Sequence, residues 1–180
     1  MLAGTAFLKS QIDNTVAQHK AFLNALEDHE ERADDTRLSD LCARHIPHMR
    51  GHQRMLEEYQ AQLGDDSHIA DATVGTGVVV ITRLADAARE SDYLRLLGDI
   101  VLARQTEDTF RIFRDAGRMM GNRTLQEIGD IGERHHDSYI QEAKRLVQHM
   151  FVEQVQGVDR VDRVDGITRK SIDTTLDATT

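Results

Sequence analysis

The sequence predicts an all-α protein, an antiparallel four-helix bundle, and three observations favour this fold class. The 180-residue chain contains one proline and no tryptophan, whereas residues of high helix propensity such as alanine, leucine and glutamate are plentiful. Apolar residues recur at alternating spacings of three and four, the period of a helix with one buried face. Turn-forming residues interrupt that period at 34–35, 64–73 and 121–122.

The first two helices are predicted over residues 5–32 and from Thr36 to about Leu63. Asp34 and Asp35 suit the turn between them, and Thr36 is a candidate N-cap. Pro47 lies inside the second helix, where we expect a kink. The inward faces of the two helices are predicted to consist of Leu8, Ile12, Thr15, His19, Phe22 and Leu26, and of Leu38, Leu41, His45, His48, His52, Met55 and Tyr59.

The third and fourth helices are predicted over residues 91–119 and from Thr124 to about Gln156. Gly121 is a natural residue to end the third helix, because glycine readily adopts the left-handed conformation found after a helix. The inward faces of these helices are predicted to consist of Leu96, Ile100, Ala103, Glu107, Phe110 and Phe113, and of Gly129, Glu133, His136, Ile140, Ala143, Val147 and Met150.

A long crossover joins the two hairpins. Its segment 74–90 contains Gly-Thr-Gly, but the spacing and the lysine of a phosphate-binding loop are absent. The Val-Ile run there has strand propensity, yet a short extra helix is favoured, since no second strand lies nearby to pair with it. The residues after Gln156 lack an apolar face. We therefore expect a bundle over residues 1–156 and a flexible polar C-terminal tail over 157–180.

Composition excludes several classes of protein. The formal charge of −9, from 31 acidic and 22 basic residues, and the lack of a basic patch argue against a nucleic-acid partner. Cys42 is the single cysteine, so neither a disulfide within the chain nor a thiolate metal cluster is expected. No secretory leader is recognisable at the start, and no apolar run reaches membrane-spanning length. We expect a cytoplasmic protein with no membrane partner.

Polar, metal-capable residues fall on the predicted apolar faces. Burying such groups costs several kcal/mol unless they are paired, so we expect them to contact one another and a metal ion. The candidate metal ligands are His19, His45, His48, His52, Glu107, Glu133 and His136.

The positions of these residues along the hairpins place them in one layer. Glu107 and His136 each lie about 14 residues from the second turn, about 21 Å along their helices. His19 lies about 15 residues before the first turn, and His48 and His52 about 13 and 17 after it. His19 and Glu107 are separated by the same number of residues as His48 and His136, which indicates that the two halves of the chain are alike.

The spacings suit metal chemistry. Glu133 and His136 are three residues apart on one helical face, a pair that serves as ligands in di-iron carboxylate bundles. His45 and His48, at i and i+3, or His48 and His52, at i and i+4, can bind one ion through two imidazoles. The alternative is a buried hydrogen-bonded network without metal, which titrates near neutral pH.

Three stretches carry a resemblance to a known superfamily: HQRMLEEYQAQLGDD at 52–66, LARQTEDTF at 102–110, and MMGNRTLQEIGDIGERHHDSYIQEA at 119–143. Over roughly residues 5–150 the chain resembles the ferritin-like superfamily. It is most similar to small bacterial, stress-associated four-helix bundles of unassigned function. The resemblance implies that Glu107 is the metal-binding carboxylate of the third helix. It also implies that Glu133 and His136 form the ligand pair of the fourth.

The chain departs from that family pattern in its first two helices. The family places a carboxylate in the first helix and Glu-x-x-His in the second. Here those places hold His19 and either His45-x-x-His48 or Met49-x-x-His52. A histidine-rich set suits zinc, iron(II), copper or nickel, as one ion or an unequal pair. We expect a divalent transition metal, iron or zinc, and leave open whether the protein is an enzyme.

Two functions follow as the main hypotheses, beside a weaker third, a hydroxylase that acts on a small or tethered substrate. The first is a metal-binding ferritin-like protein, related to iron, oxygen or stress. The second is a non-enzymatic, stress-response bundle whose buried histidines and glutamates bind no metal. Both are expected to be homo-oligomers, with a dimer favoured. Three further residues receive weaker predictions: His29 lies in an acidic, solvated run, His135 lies at the surface or behind a ligand, and Tyr139 either donates to a ligand or packs.

Overall fold

Four helices form the described part of the protein. The structure is a computed structural model that describes residues 2–64 and 91–162, with side chains at 4–64 and 91–157. Within those ranges there is no strand, and the four-helix bundle that the sequence predicts is confirmed. The helices are α1 (Leu2–Arg32), α2 (Thr36–Gln62), α3 (Asp92–Met120) and α4 (Arg123–Asp162). The predicted crossover helix at 74–90 and residues 163–180 of the predicted tail lie outside the described residues.

The helix ends follow local capping chemistry. Asp35, and not Thr36, is the N-cap of α2, and its carboxylate accepts a hydrogen bond of 2.9 Å from the Arg37 backbone N–H. The Asp35 N–H donates to the Asp92 carboxylate at 2.6 Å, which ties the first turn to α3. Helix α2 continues through Pro47 to Gln62. Helix α4 extends past its predicted end near Gln156 to Asp162.

The second turn is fixed at both ends. Gly121 ends α3 with φ 67°, the left-handed conformation that favours glycine. The Asn122 side-chain oxygen accepts from the Leu125 N–H at 3.0 Å, and its amide nitrogen donates to the Tyr59 hydroxyl at 2.7 Å. The turn is therefore held against α2, which fixes the end of α3 and the start of α4 relative to that helix.

All four helices contribute to one apolar core. Chain contacts divide the protein into Met1–Val147 and Gln148–Thr180, and this core belongs to the first unit. Its fully or nearly fully buried members are Ile12, Leu56, Tyr59, Phe110, Phe113, Leu125 and Ile128. Most of the predicted inward positions are buried, but His48 is exposed. The expected domain boundary between residues 156 and 157 stays a prediction. No helix of the described residues is long and apolar enough to cross a membrane.

Helices α3 and α4 approach closely beside the candidate site. A β-carbon at Gly129 would overlap the backbone of Arg114 and the carbonyl of Phe110. A β-carbon at Gly132 would overlap the rings of His52 and Phe110. Glycine at these two positions lets the Phe110 ring lie against α4, one helical turn from His136.

Candidate metal site

Three of the predicted ligands meet in the core. His19, His52 and His136 come from α1, α2 and α4, and each is at most 1 % exposed. One ring nitrogen from each lies within 4.8 Å of the other two. Three buried, ionisable groups in mutual contact are unusual in a core, where polar side chains normally find individual partners.

Backbone carbonyls set the proton positions of two of these rings. His52 Nε2 lies 3.0 Å from the carbonyl oxygen of Ile128, and His136 Nδ1 lies 2.8 Å from that of Gly132. A carbonyl oxygen only accepts, so both ring nitrogens donate. In the neutral rings, His52 Nδ1 and His136 Nε2 therefore carry the lone pairs. His136 Nε2 is buried and has no hydrogen-bond partner among the described residues.

Hydrogen bonds between side chains determine the proton position of the third ring, that of His19. The Gln53 amide nitrogen donates to the Glu57 carboxylate at 2.8 Å, which turns the Gln53 oxygen toward His19. That oxygen lies 2.7 Å from His19 Nδ1, so Nδ1 donates and Nε2 carries the lone pair. All three histidines thus have the arrangement usual for metal-bound imidazoles, in which the ring nitrogen that does not bind the metal donates its N–H to an oxygen.

Two of the lone pairs face each other. His19 Nε2 and His52 Nδ1 are 3.3 Å apart, and in the neutral tautomers set by Gln53 and Ile128 neither nitrogen has a proton to donate. Two nitrogens bound to one tetrahedral zinc at 2.0–2.1 Å lie about 3.3 Å apart. The separation therefore equals that of two ligands on one cation.

Burial keeps the rings neutral. Burial lowers the pKa of His19 to about 4, although the hydrogen bond to Gln53 acts in the opposite direction. Burial also lowers the pKa of His52 to about 3, and the neighbouring His19 lowers it further. Burial also places the pKa of His136 well below its usual range. At pH 7 protons do not compete for these lone pairs, so all three rings can act as ligands.

Aromatic rings enclose the three histidines. The Phe110 ring centroid lies 4.5 Å from that of His52, 5.0 Å from that of His136 and 5.9 Å from that of His19. The Phe22 ring lies 5.4 Å from that of His136 on the other side. These walls exclude water and account for the desolvation that lowers the pKa values.

The two predicted carboxylate ligands do not join the histidine cluster. Buried Glu107 accepts from Arg104 at 2.6 Å and from Arg111 at 2.9 Å. Glu133 accepts from Arg111 at 3.0 Å and also pairs with Arg114. Guanidinium groups therefore compensate both carboxylates. Their part in metal binding stays a prediction.

The other two predicted ligands lie outside the cluster. His45 is buried, and its Nε2 lies 3.1 Å from the Glu142 carboxylate. His48 is exposed, and its ring centroid lies 4.9 Å from that of His135. Both residues line a separate pocket between α2 and α4. The helical spacing of the second helix left open which of its histidines would pair, and the rotation of α2 brings His52 alone to His19 and His136.

Several important polar residues were not among the predicted ligands. A lone glutamine beside a core position carries no distinctive signal, so the sequence gives no reason to expect Gln53 in the site. The sequence predicts His29 on a solvated face, but it is buried, with Nδ1 2.8 Å from the Asp99 carboxylate. Tyr139 donates to the same carboxylate at 3.1 Å. The helical spacing of Leu96, Asp99 and Ala103 is the signal that could have revealed Asp99.

Comparison of the chain with models of protein families, with curated proteins and with solved structures finds no match.

Proposed function

We propose that the protein binds one divalent transition-metal ion, zinc or iron(II), through His19, His52 and His136. The observation that carries this proposal is the contact of 3.3 Å between two imidazole nitrogens whose other nitrogens both donate to oxygens. A cation between the two lone pairs turns an unfavourable contact into two coordinate bonds. The unpartnered His136 Nε2 supplies the third ligand.

The ring positions support one shared ion. Two imidazoles on one metal place their ring centroids about 5 Å apart. The centroid of His19 lies 5.0 Å from that of His52 and 5.2 Å from that of His136. The rings of His52 and His136 are 6.2 Å apart, so binding requires a shift of about 1 Å, within the reach of a side-chain rotation. Three protein ligands leave a fourth position for water or a small molecule.

The charges around the cluster favour a histidine site over a carboxylate-bridged di-iron site. Carboxylates that bridge two irons offset the charge of the metals, but Glu107 and Glu133 are paired with arginines. To reach a metal, buried Glu107 would have to leave both Arg104 and Arg111, and Glu133 would have to leave Arg111 and Arg114. Neutral imidazoles suit zinc, iron, copper and nickel, and we propose a single ion.

We further propose that the bundle is antiparallel and ferritin-like. The contacts between α1 and α2 support this arrangement, since residues early in α1 contact residues late in α2. Asp13 accepts from Gln60 at 2.8 Å, and Glu27 accepts from Arg50 at 2.8 Å. We also propose a homodimer, and a stress-related or iron- or oxygen-related role follows from the ferritin-like resemblance alone.

The test is metal content. Chelator-stripped protein is reloaded anaerobically with Zn(II) or Fe(II), desalted and measured by elemental mass spectrometry. We expect at least one metal ion per chain in the wild type and one ion fewer in a His52→Gln, His136→Gln double variant. His29→Gln, which alters another buried histidine, is the matched control and should retain the metal. Circular dichroism verifies that each variant is folded.

The second candidate is a metal-free structural bundle. The pairing of His29 and Tyr139 with buried Asp99 favours it, because this group satisfies its polar atoms without a metal. Under that hypothesis, the stripped and reloaded proteins would have the same melting temperature, and neither zinc nor iron would remain after desalting.

A further inference from the structure

A second cluster of histidines lines a pocket between α2 and α4. The pocket has a volume of about 400 Å³, enough for an ion together with water or a small molecule. It belongs wholly to the unit Met1–Val147, and none of the three buried histidines lines it. Its lining residues are Arg44, His45, His48, His135, Ser138 and Glu142.

Two imidazoles in this pocket have the separation of ligands on one cation. The ring centroids of His48 and His135 are 4.9 Å apart, with 44° between the ring planes. Two imidazoles on a single metal place their centroids about 5 Å apart. His135 Nδ1 is shielded from solvent and has no hydrogen-bond partner among the described residues. This nitrogen is therefore an atom that can bind a metal ion and that has no other partner among the described residues.

A carboxylate and a third imidazole lie at the same pocket. The Glu142 carboxylate lies 3.1 Å from His45 Nε2 and 2.9 Å from a nitrogen of Arg44. Partial burial opposes ionisation of Glu142, but its bonds to Arg44 and His45 outweigh it and lower the pKa of the carboxyl. The pocket thus places one carboxylate beside three imidazoles.

We propose that this pocket is a second site for a divalent transition-metal ion, held by His48 and His135, with Glu142 completing the ligand set. Imidazole with carboxylate suits zinc, cobalt, nickel and iron(II).

The proposed site in the pocket, the outer site, differs in how it forms from the site of His19, His52 and His136, the inner site. His48 and Glu142 reach the pocket with partly solvent-exposed side chains, so they can move onto an ion as it enters. Their reorganisation makes the outer site the weaker of the two. The centroids of His52 and His135 are 6.4 Å apart, so the outer site adjoins the inner one. Because the two sites share no ligand, the proposal does not require the inner site to be occupied.

The test is the number of Co(II) ions that the stripped protein binds in equilibrium dialysis. We expect two ions for the wild type and one for a His48→Ala, His135→Ala double variant. We also expect one for the His52→Gln, His136→Gln variant. His149→Ala, which removes an exposed histidine outside the pocket, should retain two. His48→Ala alone, at an exposed position, should weaken the second binding event at least tenfold without affecting the fold.

The outcomes separate the two sites. Equal Co(II) binding by the wild type and by the His48→Ala, His135→Ala variant would overturn the outer site, whatever happens at the inner one. If the wild type binds a single ion that this variant loses and the His52→Gln, His136→Gln variant keeps, the outer site stands and the inner assignment fails. Absence of Co(II) from the wild type overturns both.

Discussion

His19 Nε2 and His52 Nδ1 lie 3.3 Å apart in the core, and neither nitrogen has a proton to share when both rings are neutral. Ordinary buried histidines donate or accept in complementary pairs. The Gln53 amide oxygen accepts from His19 Nδ1, and the Ile128 carbonyl accepts from His52 Nε2. Each neutral ring therefore carries its proton on the nitrogen away from the contact, and the two facing nitrogens cannot form a hydrogen bond. Two facing lone pairs destabilise the fold, and under the proposed function a cation between them would remove that cost.

The first prediction concerns the orientation of Gln53. Glu57→Ala should lower the Zn(II) affinity about tenfold, since groups behind a metal ligand typically contribute 10–100-fold. The variant removes the carboxylate that turns the Gln53 oxygen toward His19. Competition titration against a chromogenic chelator measures the affinity. Glu58→Ala, at an exposed neighbouring position, is the control and should bind zinc as the wild type does.

The second prediction concerns the space between α3 and α4. Gly132→Ala should destabilise the protein by about 1–3 kcal/mol, because its β-carbon overlaps the rings of His52 and Phe110. It should also weaken zinc binding, since the His52 ring must move. Gly51→Ala, where a β-carbon meets nothing within 4 Å, should leave stability unchanged or raise it by up to about 1 kcal/mol. Urea unfolding measures both. An equal effect of the two substitutions would contradict the prediction.

The third prediction concerns pH. The pKa of His19 falls from 6.5 to about 4 on folding, and that of His52 falls from 6.5 to about 3, because both rings are buried. Between pH 6.5 and about 4 the unfolded chain therefore binds protons that the folded chain does not. The stability of the metal-free protein is fully present above pH 6.5. It should fall by about 1.4 kcal/mol per pH unit for each histidine as the pH decreases through that window.

Urea midpoints of stripped protein at pH 7, 6 and 5 measure this slope. A His19→Gln variant should show a shallower decrease than the wild type, and His149→Ala should leave the slope unchanged. Bound Zn(II) should hold the midpoint constant to lower pH, because the metal competes with protons for the same nitrogens. A midpoint that does not depend on pH in the stripped protein would contradict the prediction.

The fourth prediction concerns Asp99. Asp99→Ala should cost about 3 kcal/mol of unfolding free energy, since it leaves His29 Nδ1 and the Tyr139 hydroxyl without their buried partner. Asp99→Asn keeps one acceptor oxygen and should cost less, about 1 kcal/mol. Glu127→Ala, which removes an exposed acid from α4, should change stability by less than about 0.5 kcal/mol. Zinc binding should survive in every folded variant, because the Asp99 group is separate from the three histidines.

Much of the fold could be predicted because it depends on local properties. The alternating spacing of apolar residues determines the faces of the helices, and Asp34, Asp35 and Gly121 determine where they end. The turns also determine height, so His19, His52 and His136 were expected at one level of the bundle, and their ring nitrogens do meet. Glu107 was expected to be buried, and it is.

The sequence by itself determined the helices, their order and the level at which the polar residues lie. Only the tertiary structure decided which of them touch. A change of some tens of degrees in the rotation of α2 selects between His48 and His52, and no local pattern sets that angle. Whether Glu107 and Glu133 face a metal or a guanidinium depends on Arg104, Arg111 and Arg114, which lie on surfaces that helical periodicity treats as solvent-exposed. The proton positions on His19 and His52 depend on the Gln53 amide oxygen and the Ile128 carbonyl, which meet these rings only when the helices pack, whereas the Gly132 carbonyl lies one turn before His136 on the same helix.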